Sequence, residues 1–258
     1  MEIHILASGS TGNAAVFKFG DTTILLDAGI SARRIERGLA EVGVRTGDLD
    51  GVLLTHEHND HIKGLDVLIR RHHIPVYTRS GTWQKLPCRH GFPAECCQEI
   101  EDEFSIRNVG IAAFDISHDA ADAVGFSFCY QGKKVVMATD LGVVTAKVEK
   151  EMEYADAVVL EANHDLDMLE NGPYPYFLKQ RIKSSSGHLS NVNAGRLLSR
   201  INYREGMRVF LAHLSRHNNH PDLAESTVQK FLTASGHQVG KDIILHRTFP
   251  DCRTSVIL

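Results

Sequence analysis

The sequence predicts one α/β domain built of two mixed β-sheets packed face to face, with helices on the outside. Three observations lead there. The chain has 258 residues, about 1.7 times the roughly 150 of a typical domain, which leaves one large layered domain or two small ones open. Hydrophobic residues make up 43% and charged residues 23%, enough apolar material for a sizeable core and too much for a disordered chain. A β-meander followed by helix occurs twice, in halves of similar size, with no Pro/Ser-rich linker between them. Residues 1–258 are therefore read as a single domain.

The first strands are 2–6, 14–19 and 22–27, short runs rich in Val, Ile, Leu or Phe and separated by glycine-containing turns. Ser31 caps a helix that runs to about Val42, and 51–54 is a short buried strand leading into Thr55-His56-Glu57-His58. Segment 60–71 is helical because Ile62, Leu65, Leu68 and Ile69 recur at three- and four-residue intervals. The middle returns to β with 111–116, 124–130 and 135–139, the last two joined by a turn at Gln131-Gly132-Lys133. Beyond Thr145, helices near 145–153, 174–183, 190–200 and 222–234 alternate with strands 157–160 and 208–211, and strands 242–246 and 254–258 close the chain.

A net charge of −4 gives no globally basic surface for nucleic acid or anionic membrane, although local patches stay possible. No apolar run reaches the length of a membrane span. The N-terminus carries Glu2 and no Lys or Arg before Lys18, so the charged start of a secretion signal is missing. The five cysteines are odd in number and none has C-x-x-C spacing, which fits a reducing cytoplasm better than a disulfide framework. Fifteen histidines direct attention to metal binding and proton transfer.

The strongest signal is His56-x-His58-x-Asp60-His61, directly after a strand and at the start of a helix. A tight turn there aims His56 and His58 at one cation, while Asp60 and His61, in the first helical turn, reach a second. Four residues do not fill two coordination spheres, so further ligands are required at other strand ends. His118, Asp140 and His213 each follow a predicted strand, and a carboxylate such as Asp140 bridges two cations in two-metal hydrolases.

With these motifs, and Asp27 after the third strand, the sequence resembles the metallo-β-lactamase fold hydrolases over essentially its whole length. The resemblance implies a four-layer αβ/βα sandwich. It further implies that His56, His58, His118 and Asp140 hold one metal, that Asp60, His61, Asp140 and His213 hold another, and that Asp27 supports the ligand loop without binding metal. No cysteine falls on a ligand position, so the site is all nitrogen and oxygen and suits two divalent ions, zinc or manganese. A finer resemblance is to the YycJ (WalJ) type of bacterial nuclease. It rests on Ser8-Gly9-Ser10-Thr11-Gly12-Asn13, Ser31-Ala32-Arg33-Arg34-Ile35, Leu160-Glu161-Ala162-Asn163-His164-Asp165, and Gly187-His188-Leu189-Ser190-Asn191 with Ala212-His213-Leu214-Ser215. That type implies 5′→3′ exonuclease action on DNA. The chain is too short for the inserted domain of RNase J-type relatives, and no segment resembles the flexible arm by which tRNase Z grips tRNA.

The implied reaction has a metal-activated water attacking phosphorus in line. Asp60, His188 and Glu161 are the catalytic candidates, with His188 as general acid oriented by Glu161; His164 competes for the acid's role, and a helix-cap neighbour without chemistry is the other reading of His188. Loop 8–13 offers either backbone N–H groups, Ser8, Ser10 and Asn13 to a phosphate, or simply a tight turn between strands. Ser186 belongs to the serine loop before His188. Lys179, Arg181 and Lys183 form a possible positive track into that loop; Arg33, Arg34 and Arg37 form another, or a solvated helix face. Alternatives are a small-molecule or cyclic-nucleotide phosphodiesterase of the PhnP kind, and a non-catalytic, metal-stabilised nucleic-acid-binding module. The expected partner is nucleic acid, DNA before RNA, with no membrane; protein partners and oligomeric state are not legible.

Overall fold

Alternating and continuous apolar runs form fourteen strands and nine helices in the computed structural model, which describes residues 1–258. The strands are β1 (Glu2–Ala7), β2 (Ala14–Phe19), β3 (Thr22–Leu26), β4 (Gly51–Leu53), β5 (Val76–Thr78), β6 (Cys97–Glu99), β7 (Glu103–Ile106), β8 (Val109–Asp115), β9 (Val124–Tyr130), β10 (Lys133–Ala138), β11 (Ala157–Glu161), β12 (Met207–Ala212), β13 (Ile243–Arg247) and β14 (Thr254–Ile257). The helices are α1 (Ala32–Glu41), α2 (Asn59–Ile62), α3 (Leu65–His72), α4 (Ser80–Lys85), α5 (Ala146–Met152), α6 (Leu166–Asn171), α7 (Tyr176–Lys183), α8 (Asn191–Leu198) and α9 (Pro221–Ala234). They fall into two compact units. Residues 1–113, 120–124 and 250–258 form the first; residues 114–119 and 125–249 form the second.

The first unit holds a seven-stranded sheet in the order β14-β1-β2-β3-β4-β5-β6. Pairing is antiparallel from β14 to β3 and parallel from β3 to β6. Every residue of β3 and β4 is buried, as parallel strands covered on both faces require. Ile35 and Leu39 of α1 and Leu65, Leu68 and Ile69 of α3 join one core with Val16, Leu25 and Val52, their three- and four-residue spacing setting one apolar face per helix. The helix expected over 60–71 is broken into α2 and α3. A Cβ on Gly64 would lie 2.3 Å from the Ile30 carbonyl oxygen, and the Gly64 N–H donates to the Ala28 carbonyl at 2.7 Å; this tertiary contact overrides a periodicity that looked continuous.

The second unit is built on β9 to β13. β9 and β10 form a hairpin whose turn residues Gln131 and Gly132 both have positive φ, 49° and 75°, the twist that tight hairpins favour. β10, β11, β12 and β13 run parallel, which demands a crossover after each strand. α5 supplies the first, α6 to α8 the second and α9 the third. Ala224, Val228 and Leu232 form the buried stripe of α9, and a Cβ on Gly195 of α8 would come within 2.8 Å of the Phe231 ring, so the glycine lets these helices approach closely. The second seven-stranded sheet has the order β13-β12-β11-β10-β9-β8-β7. No helix is long and apolar enough to cross a membrane.

Candidate metal centre

In the first unit the histidine motif occupies the link from β4 into α2. The rings of His56 and His58 lie 4.6 Å apart and those of His56 and His61 4.2 Å apart, centroid to centroid. Asp27, just beyond β3, sits in the left-handed region at φ 58°, rare for a residue with a side chain and a source of strain that surrounding bonds must hold. They do so here. Its Oδ1 accepts the Thr55 N–H at 2.9 Å, and its Oδ2 accepts the Thr55 hydroxyl at 3.0 Å and His61 Nδ1 at 2.8 Å. Thr55 Oγ1 in turn lies 3.0 Å from His56 Nδ1. Asp27 therefore fixes the loop from behind. Asp60 Oδ2 stands 3.5 Å from His61 Nε2, close to the roughly 3.4 Å between two ligands on one tetrahedral cation.

Loop 8–13 locks this arrangement. Gly9 N–H donates to Asn13 Oδ1 at 3.0 Å and Asn13 N–H to the Asp60 carbonyl at 2.8 Å. Asn13 Nδ2 faces His61 Nε2 at 3.2 Å. The Gly9, Gly12 and Asn13 N–H groups are thus engaged within the unit, in the tight-turn arrangement; Ser8 is buried and Ser10 is exposed.

In the second unit three acidic or imidazole groups stand at or just past the carboxyl ends of neighbouring parallel strands: Asp140 after β10, Glu161 at the end of β11 and His213 after β12. That rim is where open α/β sheets place their ligands. Asp140 and His213 also have positive φ, 61° and 55°. Asp140, Glu161, His188 and His213 bring polar atoms within 4.8 Å of one another. Glu161 is fully buried and accepts four bonds. Its Oε1 takes His188 Nδ1 at 2.9 Å and His213 Nδ1 at 2.7 Å, and its Oε2 takes the N–H groups of Leu141 and Leu189, each at 2.9 Å. Burial alone would raise the carboxyl pKa, but the two imidazoles outweigh it and hold Glu161 well below the usual carboxylate range. Burial opposes a charge on His188, whereas Glu161 and then Asp140 favour it, with a raised pKa as the net result.

His118, the third expected ligand in this unit beside Asp140 and His213, turns Nδ1 to the Gly187 carbonyl at 3.3 Å, and its Nε2 is 3.8 Å from Asp140 Oδ1. The serine loop packs beside it: Ser117 Oγ donates to the Ser185 carbonyl at 2.7 Å, and Ser186 Oγ lies 3.4 Å from Ser184 Oγ. His164 is buried, and its Nδ1 has no hydrogen-bond partner; burial drives its pKa down to about 4. The cations of the expected track are partnered. Arg181 binds Asp119 at 2.6 and 3.0 Å, Lys183 pairs with Glu170, and Lys179 Nζ donates to the Glu170 carbonyl at 2.6 Å. On α1, Arg34 reaches the Pro250 carbonyl at 2.7 Å, Arg37 lies 3.5 Å from Glu41, and Arg33 is exposed.

The donor set fits a divalent metal. His56, His61, His118 and His213 each tie Nδ1 to an oxygen acceptor, which puts the proton on that nitrogen and the lone pair on Nε2, the tautomer that metal-bound histidines adopt. The role of Thr55 escaped the sequence reading, since the residue looked like the polar end of a strand. Its position immediately before the motif was the one available signal.

Residues 22–214 match the β-lactamase superfamily domain. The chain belongs to that superfamily. This superfamily member is 34% identical over 259 residues to a protein named exodeoxyribonuclease YycJ from Bacillus anthracis, with 99% of this chain and 98% of the relative covered. It is 36% identical over 255 residues to one named exodeoxyribonuclease WalJ from Streptococcus pneumoniae serotype 2 strain D39, covering 97% and 95%. The metallo-β-lactamase fold protein YhfI from Bacillus subtilis matches it with a TM-score of 0.73 over 98% of each chain at 17% identity. The expected fold and family are borne out: a β-lactamase superfamily enzyme with the metallo-β-lactamase fold, related throughout its length to the YycJ and WalJ proteins, and a metal-dependent hydrolase.

Proposed function

We propose that the chain is a cytoplasmic, binuclear, metal-dependent 5′→3′ exonuclease acting on DNA. The observation that carries the reading is the set of four histidines whose Nδ1 each meets an oxygen acceptor, the orientation that metal-bound histidines adopt; the two named exodeoxyribonucleases, matched end to end, support the substrate class. His56, His58, His118 and Asp140 hold one divalent ion, and Asp60, His61, Asp140 and His213 the other, zinc or manganese. Bound there, the two ions supply a water acidified toward neutrality and a positive field for the phosphoryl oxygen. His188 gives its Nδ1 proton to the bond with Glu161, so its Nε2 is the atom that passes a proton to the leaving 3′-oxygen. Glu161 orients His188 and His213 with one oxygen and is anchored by two backbone N–H groups through the other. Ser8, Ser10, Asn13, His164 and Ser186 are the residues assigned to substrate.

The test is digestion of linear duplex DNA labelled at the 5′ end in one set and the 3′ end in another, with added manganese. Asp140→Ala serves as the contamination control. Early release of short 5′-labelled products by the wild type alone is the expected result. Absence of cleavage by protein shown to hold two metals overturns it and directs the search to small cyclic phosphodiesters.

A further inference from the structure

Ten of the eleven phenylalanines are buried or half-buried; Phe177 is 73% exposed, and its neighbour Tyr176 is 76% exposed. Single exposed apolar residues need no explanation, but two consecutive aromatic rings held in water forgo a large burial free energy and mark a surface that something covers. Both rings open α7. As adjacent positions on a helix they point about 100° apart and offer two separate faces rather than one plane. Leu166, 44% exposed at the start of α6, adds to the apolar surface of the same segment. The two helices are joined through Glu170, which takes Lys179 on its carbonyl and Lys183 on its carboxylate.

The charge of α7 says what kind of molecule fits. Tyr-Phe-Leu-Lys-Gln-Arg-Ile-Lys contains three cations and no acid, and two carboxylates, Glu170 and Asp119, face those three. The far end of the helix leads directly into the candidate centre: the Ile182 carbonyl accepts the His188 N–H at 2.9 Å, and Arg181 holds Asp119, next to His118. Eight helical residues span about 12 Å. Stacked nucleotides follow one another every 3.4 Å or so along a strand, which sets the rings roughly three to four nucleotides from His188, and fewer if the strand is extended.

We infer that Tyr176 and Phe177 are a stacking platform for unpaired bases of the DNA strand being digested, with α7 carrying its phosphates toward His188. The inference rests on the nuclease reading and adds to it a requirement for single-stranded character near the site. Stacking suits such an enzyme because every base has a π-face, so the platform grips without reading sequence. Each ring accounts for roughly tenfold to a hundredfold in affinity.

The experiment measures KM for single-stranded oligothymidylates of three to twelve residues, using the metal-loaded full chain. For wild type, KM falls at least tenfold once the strand is long enough to reach the rings. Tyr176→Ala with Phe177→Ala loses that fall, and Phe177→Trp keeps it. Replacing the bases three to four residues from the cleaved bond with abasic sites raises the wild-type KM, yet leaves the double variant unaffected, because the partner rings are already gone. A double variant with the wild-type length dependence, or abasic and protein changes that simply add, overturns the platform. If the wild type degrades no oligonucleotide but hydrolyses bis(p-nitrophenyl) phosphate, the nuclease reading itself fails and the platform falls with it.

Discussion

Glu161 satisfies four donors with two oxygens while fully buried, and its substitution is correspondingly severe. Glu161→Gln keeps one acceptor but turns an NH2 group either toward the backbone N–H groups of Leu141 and Leu189 or toward the two imidazoles. It should cost about 3 kcal/mol of stability, measured by urea unfolding of metal-free protein. His188→Ala is different in kind: it should lower kcat roughly 100- to 10,000-fold while both metals stay bound, whereas His213→Ala should lose metal as well, which elemental analysis beside the rate assay distinguishes. His164 titrates below its ordinary range. Above about pH 6.5 it is neutral whether the chain is folded or not; below that the unfolded chain takes up a proton that the folded chain refuses until about 4. Stability present above the unfolded pKa is therefore lost as pH falls through this window, by roughly 3 kcal/mol. Chelator-treated wild type and His164→Gln should diverge by that much between pH 7.5 and 4.5 in urea midpoints, and identical pH slopes would refute the assignment. At this scale the sequence disclosed His56, His58, Asp60 and His61 because they are contiguous. It did not disclose that Thr55 relays Asp27 to His56, since that depends on a bond between residues 28 apart.

At the scale of elements, the ligand loop is shaped by residues that bind nothing. A Cβ on Gly29 would stand 1.6 Å from the Asp60 carbonyl oxygen, a backbone atom that moves only with the loop. Gly29→Ala should consequently lower metal occupancy and destabilise the protein by about 1–3 kcal/mol or more, read from bound metal and thermal unfolding. Wild-type occupancy in that variant would show that the loop has room the geometry denies. Long periodic elements such as α9 were legible in the sequence. Segment 73–110 was not: β5, β6 and β7 are three or four residues long, too short for a period to declare itself, and β6 has no buried residue. The single helix expected over 60–71 failed because Gly64 answers to Ile30, a contact outside any local window.

For the whole molecule, the proposed metals should be linked to folding. The proposed ligands Asp140 and His213 sit at positive φ and store strain that their surroundings must offset; if a cation supplies part of that, exhaustive chelation should lower the thermal midpoint and manganese or zinc should restore it. The rise should grow with metal concentration as mass action requires, and two equivalents per chain should bind, both being lost in Asp140→Ala. A midpoint indifferent to chelator would separate the site from the fold.

The first sheet is finished from both ends of the chain: β14 pairs with β1, and the Leu258 N–H donates to the Met1 carbonyl at 3.0 Å. During synthesis at roughly 5–20 residues per second, β14 leaves the ribosome on the order of ten seconds after residue 113. Through that interval β1 is an open edge, with unpaired N–H and C=O groups ready for any other strand. The nascent chain stays exposed to mispairing and to chaperone capture until β14 emerges, and a tag or fusion that delays β14 prolongs that exposure.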